Sequence, residues 1–192
     1  YWNKHGSSLD IKNAIEILIK AQIANPKDEK ILIALTGLKA INGSADEYKA
    51  LNRSKYADHP WLRSFEWFFN LNSTPKIYFN RWHLFDEMIA LSDQTRPFYE
   101  YGVWMGVSFT YLWKSFGKGY GFDTFSGLPE DWNSEKIGTY SSNGVVPDLA
   151  GSNFIVGNFQ DTLPLFFSQE RRKASLINFD ADLYSSTICA LN

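Results

Sequence analysis

The chain has 192 residues, 44% of them hydrophobic and 21% charged, with a formal net charge of -2; this is the make-up of a folded globular protein, not of a disordered one. A near-neutral charge, with no basic run longer than Arg171-Arg172-Lys173, excludes the positive field that captures phosphate backbones, so no nucleic-acid partner is expected. No run of about 18 apolar residues offers a membrane span, and the single cysteine, Cys189, excludes an internal disulfide framework and fits the reducing cytoplasm.

From the N-terminus the pattern is helical. Ile11, Ala14, Ile15 and Leu18 recur at i, i+3, i+4 and i+7 and predict one apolar helical face. Asn25-Pro26 supplies a cap and a first-turn proline for a second helix carrying Ile31, Leu35 and Leu38, and Gly43 ends it. Ser44-Ala45-Asp46-Glu47 has the form of a capping box for a third helix. His59-Pro60 opens a fourth, with Leu62, Phe65 and Phe69 on its face. Pro26 and Pro60 lie 34 residues apart, the tetratricopeptide period, and Ala14, Leu18 and Ala21 resemble that repeat's second helix. Tyr48, Asn52 and Lys55 stand where the repeat wants small or apolar residues. Two alternatives therefore stay open, a tetratricopeptide-like hairpin array and an unrelated helical extension. Residues 8–72 are expected to form paired antiparallel helices as a unit of their own, whose functional role would be to hold a partner protein or an acceptor substrate. The boundary is expected near Thr74, with a helical region over residues 1–74 and a second domain over residues 75–192.

A further amphipathic helix is predicted over 80–92, with Trp82, Phe85 and Ile89 inward, and Arg96-Pro97 ends it. From Phe98 the pattern changes. Short apolar runs (FYEYGV, GYGF, NFIV, SLINF) alternate with helical or loop segments, which predicts an α/β fold with a parallel sheet and crossover helices.

Four stretches carry the chemistry. EYGVWMGVS, Glu100 to Ser108, places Gly102 and Gly106 in a strand-to-helix turn, where they allow a tight bend and close approach of a ligand to free helix amides. The spacing is not GxGxxG, and Trp104 and Met105 occupy positions where a pyrophosphate needs bare backbone, which disfavours a dinucleotide enzyme. GFDTFSGLPEDW puts Asp123 at the end of the second strand, 23 positions after Glu100, where doubly wound sheets hold ribose hydroxyls. VGNFQDTLP offers Asn158 and Phe159 after the third strand, with Asp161-Thr162-Leu163-Pro164 opening the next helix. SLINFDADLYSST ends the fourth strand on Asp180 and Asp182, with Tyr184 and Ser185 beside them, an oxygen-rich set suited to Mg²⁺.

In order, these stretches resemble the macrocin O-methyltransferase family over roughly Tyr78 to Asn192, most specifically in EYGVWMGVS, GFDTFSGLPE and FDADLYSST. The resemblance implies a class I, Rossmann-like methyltransferase sheet, here about four strands of it. It implies S-adenosylmethionine as cofactor, with Glu100, Gly102, Gly106 and Ser108 around its methionine portion and Asp123 on its ribose. Asn158 and Phe159 then lie near the adenine, Asp180 is a metal ligand and Asp182 stands beside it. Family members continue to a fifth strand with an acidic pair, so a longer chain is expected, with the 192 residues poorly soluble and inactive alone. The implied activity is methyl transfer to a hydroxyl of a sugar or other small natural product, assisted by Mg²⁺. The histidines His5, His59 and His83 all precede the first strand; the proton then goes to Asp180, Asp182, a residue beyond Asn192, or His83 reaching over from its helix. Two rivals are a non-catalytic helical-repeat interaction protein with a degenerate methyltransferase-like domain, and a dehydrogenase on a similar sheet. Self-association into a homo-oligomer is a further open alternative.

Overall fold

The computed structural model describes residues 11–73 and 75–192. Its contacts divide the chain into two compact units, one through Leu84 and one from Phe85. The division runs within the helix predicted over 80–92, and Thr74, the expected boundary, lies outside the described residues, as do His5 and the stretch before Ile11.

The first unit is helical: α1 (Ile11–Ala24), α2 (Glu29–Ile41), α3 (Asp46–Leu51) and α4 (Pro60–Phe69). No helix runs through Pro26 or Pro60. Ile33 and Leu62 are fully buried and, with Tyr48, make its core, against which Ala40, Leu51, Tyr56 and Phe65 pack. Gly37 on α2 lets the Phe65 ring of α4 come in so close that an added Cβ would overlap it.

Two helix starts differ from the sequence expectation. The cap of α2 is Asp28, whose Oδ1 accepts from the amides of Lys30 at 2.9 Å and Ile31 at 3.1 Å, so Pro26 lies in the turn before it. An anionic oxygen aimed at two orphan amides outcompetes Asn25, three residues earlier. Ser44 does not close a capping box: Ala45 stands at the N-cap of α3 with no side-chain bond, and Glu47 pairs with Lys39 at 2.9 Å instead. The start of α4 is as expected, with His59 Nδ1 accepting from the Trp61 amide and Pro60 in the first turn.

Helix α5 (Arg81–Leu91) leads into the second unit, where β1 (Phe98–Tyr101), α6 (Val107–Phe116), β2 (Gly119–Asp123), β3 (Ser152–Val156), α7 (Phe159–Phe167), β4 (Leu176–Phe179) and α8 (Tyr184–Leu191) follow. The sheet is all-parallel in the order β3-β2-β1-β4, a mixed α/β fold as the alternation of apolar runs predicts. Alternate side chains divide between its faces. On one face Phe98 meets Phe109 and Phe116 of α6. On the other, Tyr99, Tyr101 and Phe122 form the core with Phe159, Leu163 and Phe166 of α7, and Cys189 and Ala190 of α8 pack against it. Burial on both faces is why the central runs, FYEY and GYGF, read as continuous apolar stretches, whereas the outer strands leave Val156, Ile177 and Phe179 exposed. Helix α7 begins at Phe159, with Asn158 at its N-cap, two residues before the expected Asp161, and it continues past Pro164. Among the described residues no helix is long and apolar enough to cross a membrane.

Candidate functional site at the carboxyl edge of the sheet

The chain leaves β1 to one side, through α6 to β2 and on to β3, and returns through α7 to β4 on the other side of β1. The carboxyl ends of β1 and β4 therefore flank the topological switch point, where open α/β sheets form their ligand crevice. All four chemistry-bearing stretches arrive at this edge.

At the end of β1, Gly102 adopts φ 88° and donates its amide to Phe122 O at 2.9 Å. A Cβ here would lie 2.5 Å from the Asp180 carbonyl oxygen. Only glycine permits both that φ and that approach, and Asp180 in turn donates its amide to Tyr101 O at 2.8 Å. The β1 turn and the end of β4 are thus locked backbone to backbone. Gly106, at φ 71°, is the N-cap of α6 and makes no side-chain cap. Its missing Cβ is the space that Pro147 fills, at 2.7 Å.

Glu100 and Ser108 lie beneath this turn, 0% and 5% exposed. Ser108 Oγ donates to Glu100 Oε1 at 2.9 Å, and Asn178 Nδ2 donates to Oε2 at 3.0 Å. Glu100 and Asn178 are register partners across β1 and β4. One buried carboxylate therefore ties β1, α6 and β4 together, each bond charge-assisted and the carboxylate costly to leave unpaired. Glu100 and Ser108 position the turn from below.

Asp123 ends β2 and is spanned by amides. Its Oδ2 accepts from Val103 N at 2.7 Å and Trp104 N at 2.8 Å, and its Oδ1 from Phe125 N at 2.7 Å. Its first task is to shape the turn after β1; one lone pair on Oδ1 is left for a further donor. At β3, Gly157 has φ 141° and donates its amide to Asp123 O at 3.0 Å. Asn158 beyond it is exposed. The Phe159 ring turns into the core, 5.6 Å from the Tyr101 ring, so it backs the site instead of lining it.

Asp180 and Asp182 follow β4, both exposed. Partial desolvation, and next the Asp180 charge, push the Asp182 carboxyl above the usual aspartate range. Of their expected neighbours, Ser185 is engaged elsewhere, donating to Glu130 Oε1 at 2.6 Å, and the Tyr184 ring is exposed. Among the described residues no group of three or more His, Cys, Asp or Glu side chains stands ready for a metal. His83 is exposed on α5.

The 124–150 segment, which has no readable code in sequence, roofs one side. Its Leu128 exchanges backbone bonds with Gly138 and Thr139, and its Ala150 carbonyl accepts from Trp113 Nε1 at 2.9 Å. Tyr140 meets Trp104 edge to face, with ring centroids 6.0 Å apart. Asn178, Glu130 and Tyr140 are the participants that sequence reasoning does not single out. Register alone could have found Asn178, once β4 is known to lie beside β1. Comparison with protein-family models, with curated proteins and with solved structures finds no match for this chain.

Proposed function

We propose that the chain is an S-adenosylmethionine-dependent O-methyltransferase, or a portion of one, acting on a hydroxyl of a sugar or other small natural product with help from Mg²⁺. The observation that carries this reading is the convergence of Asp123, the Gly102 turn and the Asp180 and Asp182 pair at one switch point. The resemblance of EYGVWMGVS, GFDTFSGLPE and FDADLYSST to the macrocin O-methyltransferase family supports it.

The residues fit the cofactor by their chemistry. The remaining Oδ1 lone pair of Asp123 suits a ribose hydroxyl, the uncapped first turn of α6 suits the cofactor's carboxylate, and exposed Asn158 can meet the adenine edge. Two carboxylates fit Mg²⁺ in number, since that ion takes one or two and keeps several waters. When bound, it would orient the acceptor hydroxyl and lower its pKa. Displacement at the methyl carbon needs the acceptor oxygen held in line. On this reading Asp180 or Asp182, the carboxylates nearest the acceptor, would take the proton.

Transfer of the labelled methyl group from S-adenosylmethionine to a panel of hydroxyl compounds tests the activity. Label appearing in an ether product supports it; no transfer together with no cofactor binding removes it. A second reading, that the helical unit holds a partner protein, rests on a groove of about 830 Å³ lined by Leu38, Phe65, Trp67, Phe68 and Ile77. Pull-down with that face altered by Trp67→Glu would test it.

A further inference from the structure

Trp104 and Tyr140 are two large aromatic residues in the left-handed backbone region, at φ 49° and 62°. They are nevertheless 46% and 42% exposed. Neither conformation nor exposure helps the fold: a bulky residue with positive φ is strained, and an exposed ring leaves its burial energy unrealised. The strain is held from below. The Trp104 amide is fixed on Asp123 Oδ2 at 2.8 Å, and the backbone beside Tyr140 is fixed by bonds from the Leu128 amide to Thr139 O and from the Gly144 amide to Phe125 O.

The two rings meet at 78° with centroids 6.0 Å apart. Both rings stay half-exposed at this corner, so it presents aromatic surface to solvent. Trp104 comes from the turn after β1, where its amide is held on Asp123 at the end of β2, and Tyr140 comes from the segment after β2. The corner thus stands at the carboxyl edge of the sheet, beside the turn that Gly102 locks to Asp180. The 124–150 segment carries Glu130, Asp131, Glu135 and Asp148 against the single cation Lys136, and Lys136 is paired with Asp131 at 2.7 Å. An anionic ligand would meet net negative charge here and find no free cation in that segment.

Resting on the methyltransferase reading, we propose that Trp104 and Tyr140 form the wall that positions the acceptor, and that this wall selects an uncharged, ring-shaped hydroxyl compound over anionic ones. The exposed aromatic surface takes the flat side of the acceptor ring, and the carboxylates accept from its hydroxyls.

The test uses matched pairs: catechol against 3,4-dihydroxybenzoate, and methyl glucoside against methyl glucuronide. Binding is read by saturation-transfer NMR on the chain, with S-adenosylmethionine affinity measured in parallel by calorimetry. At least one neutral member is expected to bind, its anionic counterpart tenfold or more weaker. Trp104→Gly and Tyr140→Ala should each weaken the neutral compound at least tenfold, and Tyr140→Phe should not. Trp104→Gly relieves the backbone strain, so its melting temperature should be no lower than the parent's, an outcome that a merely structural tryptophan would not give. Anionic members binding as tightly as neutral ones, no neutral member binding, or neutral binding unchanged in both variants would each overturn the proposal. Ring binding that is lost in Trp104→Gly, in a chain that does not bind S-adenosylmethionine, would leave the aromatic wall standing and remove the methyltransferase reading alone.

Discussion

Asp123 accepts three backbone amides within 2.8 Å, and this decides what its substitution does. Asp123→Asn removes the charge and sets an NH2 group against at least one amide that also donates. Bonds to a charged acceptor contribute about 1.5 to 3 kcal/mol, so the variant should lose about 2 to 3 kcal/mol of stability as well as cofactor affinity. Chemical denaturation reads the first and calorimetry the second. A variant as stable as the parent would mean that the turn holds its shape without the carboxylate. Two tyrosines, buried Tyr101 and half-buried Tyr111, give a pH dependence. Desolvation first, then the Tyr99 charge, raise Tyr101 from 10.0 to about 12, and the hydrogen bond from Tyr111 Oη to Asp86 raises Tyr111 from 10.0 to about 12. Both hold their protons longer when folded, so their contribution is complete below pH 10 and is lost as pH rises toward 12. Stability should therefore fall over that interval, and less steeply in Tyr101→Phe. An equal slope in parent and variant would contradict the assignment.

At the scale of elements, a close approach between helices sets Gly37 of α2 against Phe65 of α4. Gly37→Ala gains up to about 1 kcal/mol of helix propensity but drives a methyl group into the ring, and overpacking costs about 1 to 3 kcal/mol. The melting temperature should fall, and Phe65→Leu in the same chain should restore some of it; a rise in the single variant would show that the ring moves aside freely. Elements were legible in proportion to how local their causes are. The four apolar runs match the four strands to within one or two residues, because a short apolar run bounded by glycine or proline has few other uses. Helix starts were less legible. Asn25 and Asp28 both suit an N-cap, and which one wins depends on where the α1–α2 turn places the amides. Ser44 and Glu47 have the spacing of a capping box, yet Lys39, across the turn on α2, takes Glu47 away.

Across the whole molecule, the site is an assembly of strand ends, and its composition could be read only partially. Glu100, Gly102, Asp123, Asn158, Asp180 and Asp182 could be named from sequence because each lies near or just past the carboxyl end of a strand. Their division of labour could not, because Glu100 meets Asn178 across 78 residues and Ser185 meets Glu130 across 55, separations that leave no local signal. Nor does any periodicity in the 124–150 segment place Tyr140 against Trp104. What the assembly explains is why a charged residue is buried at the end of β1: the carboxylate of Glu100 holds the two strands that flank the switch point. The central claim is that this switch point binds S-adenosylmethionine. Titration calorimetry of the chain with S-adenosylmethionine, with and without Mg²⁺, tests it most directly. The account predicts saturable one-site binding that Asp123→Ala weakens at least tenfold and Asp180→Asn leaves largely intact in the absence of Mg²⁺, whereas no heat of binding, or equal binding by the parent and Asp123→Ala, would contradict it.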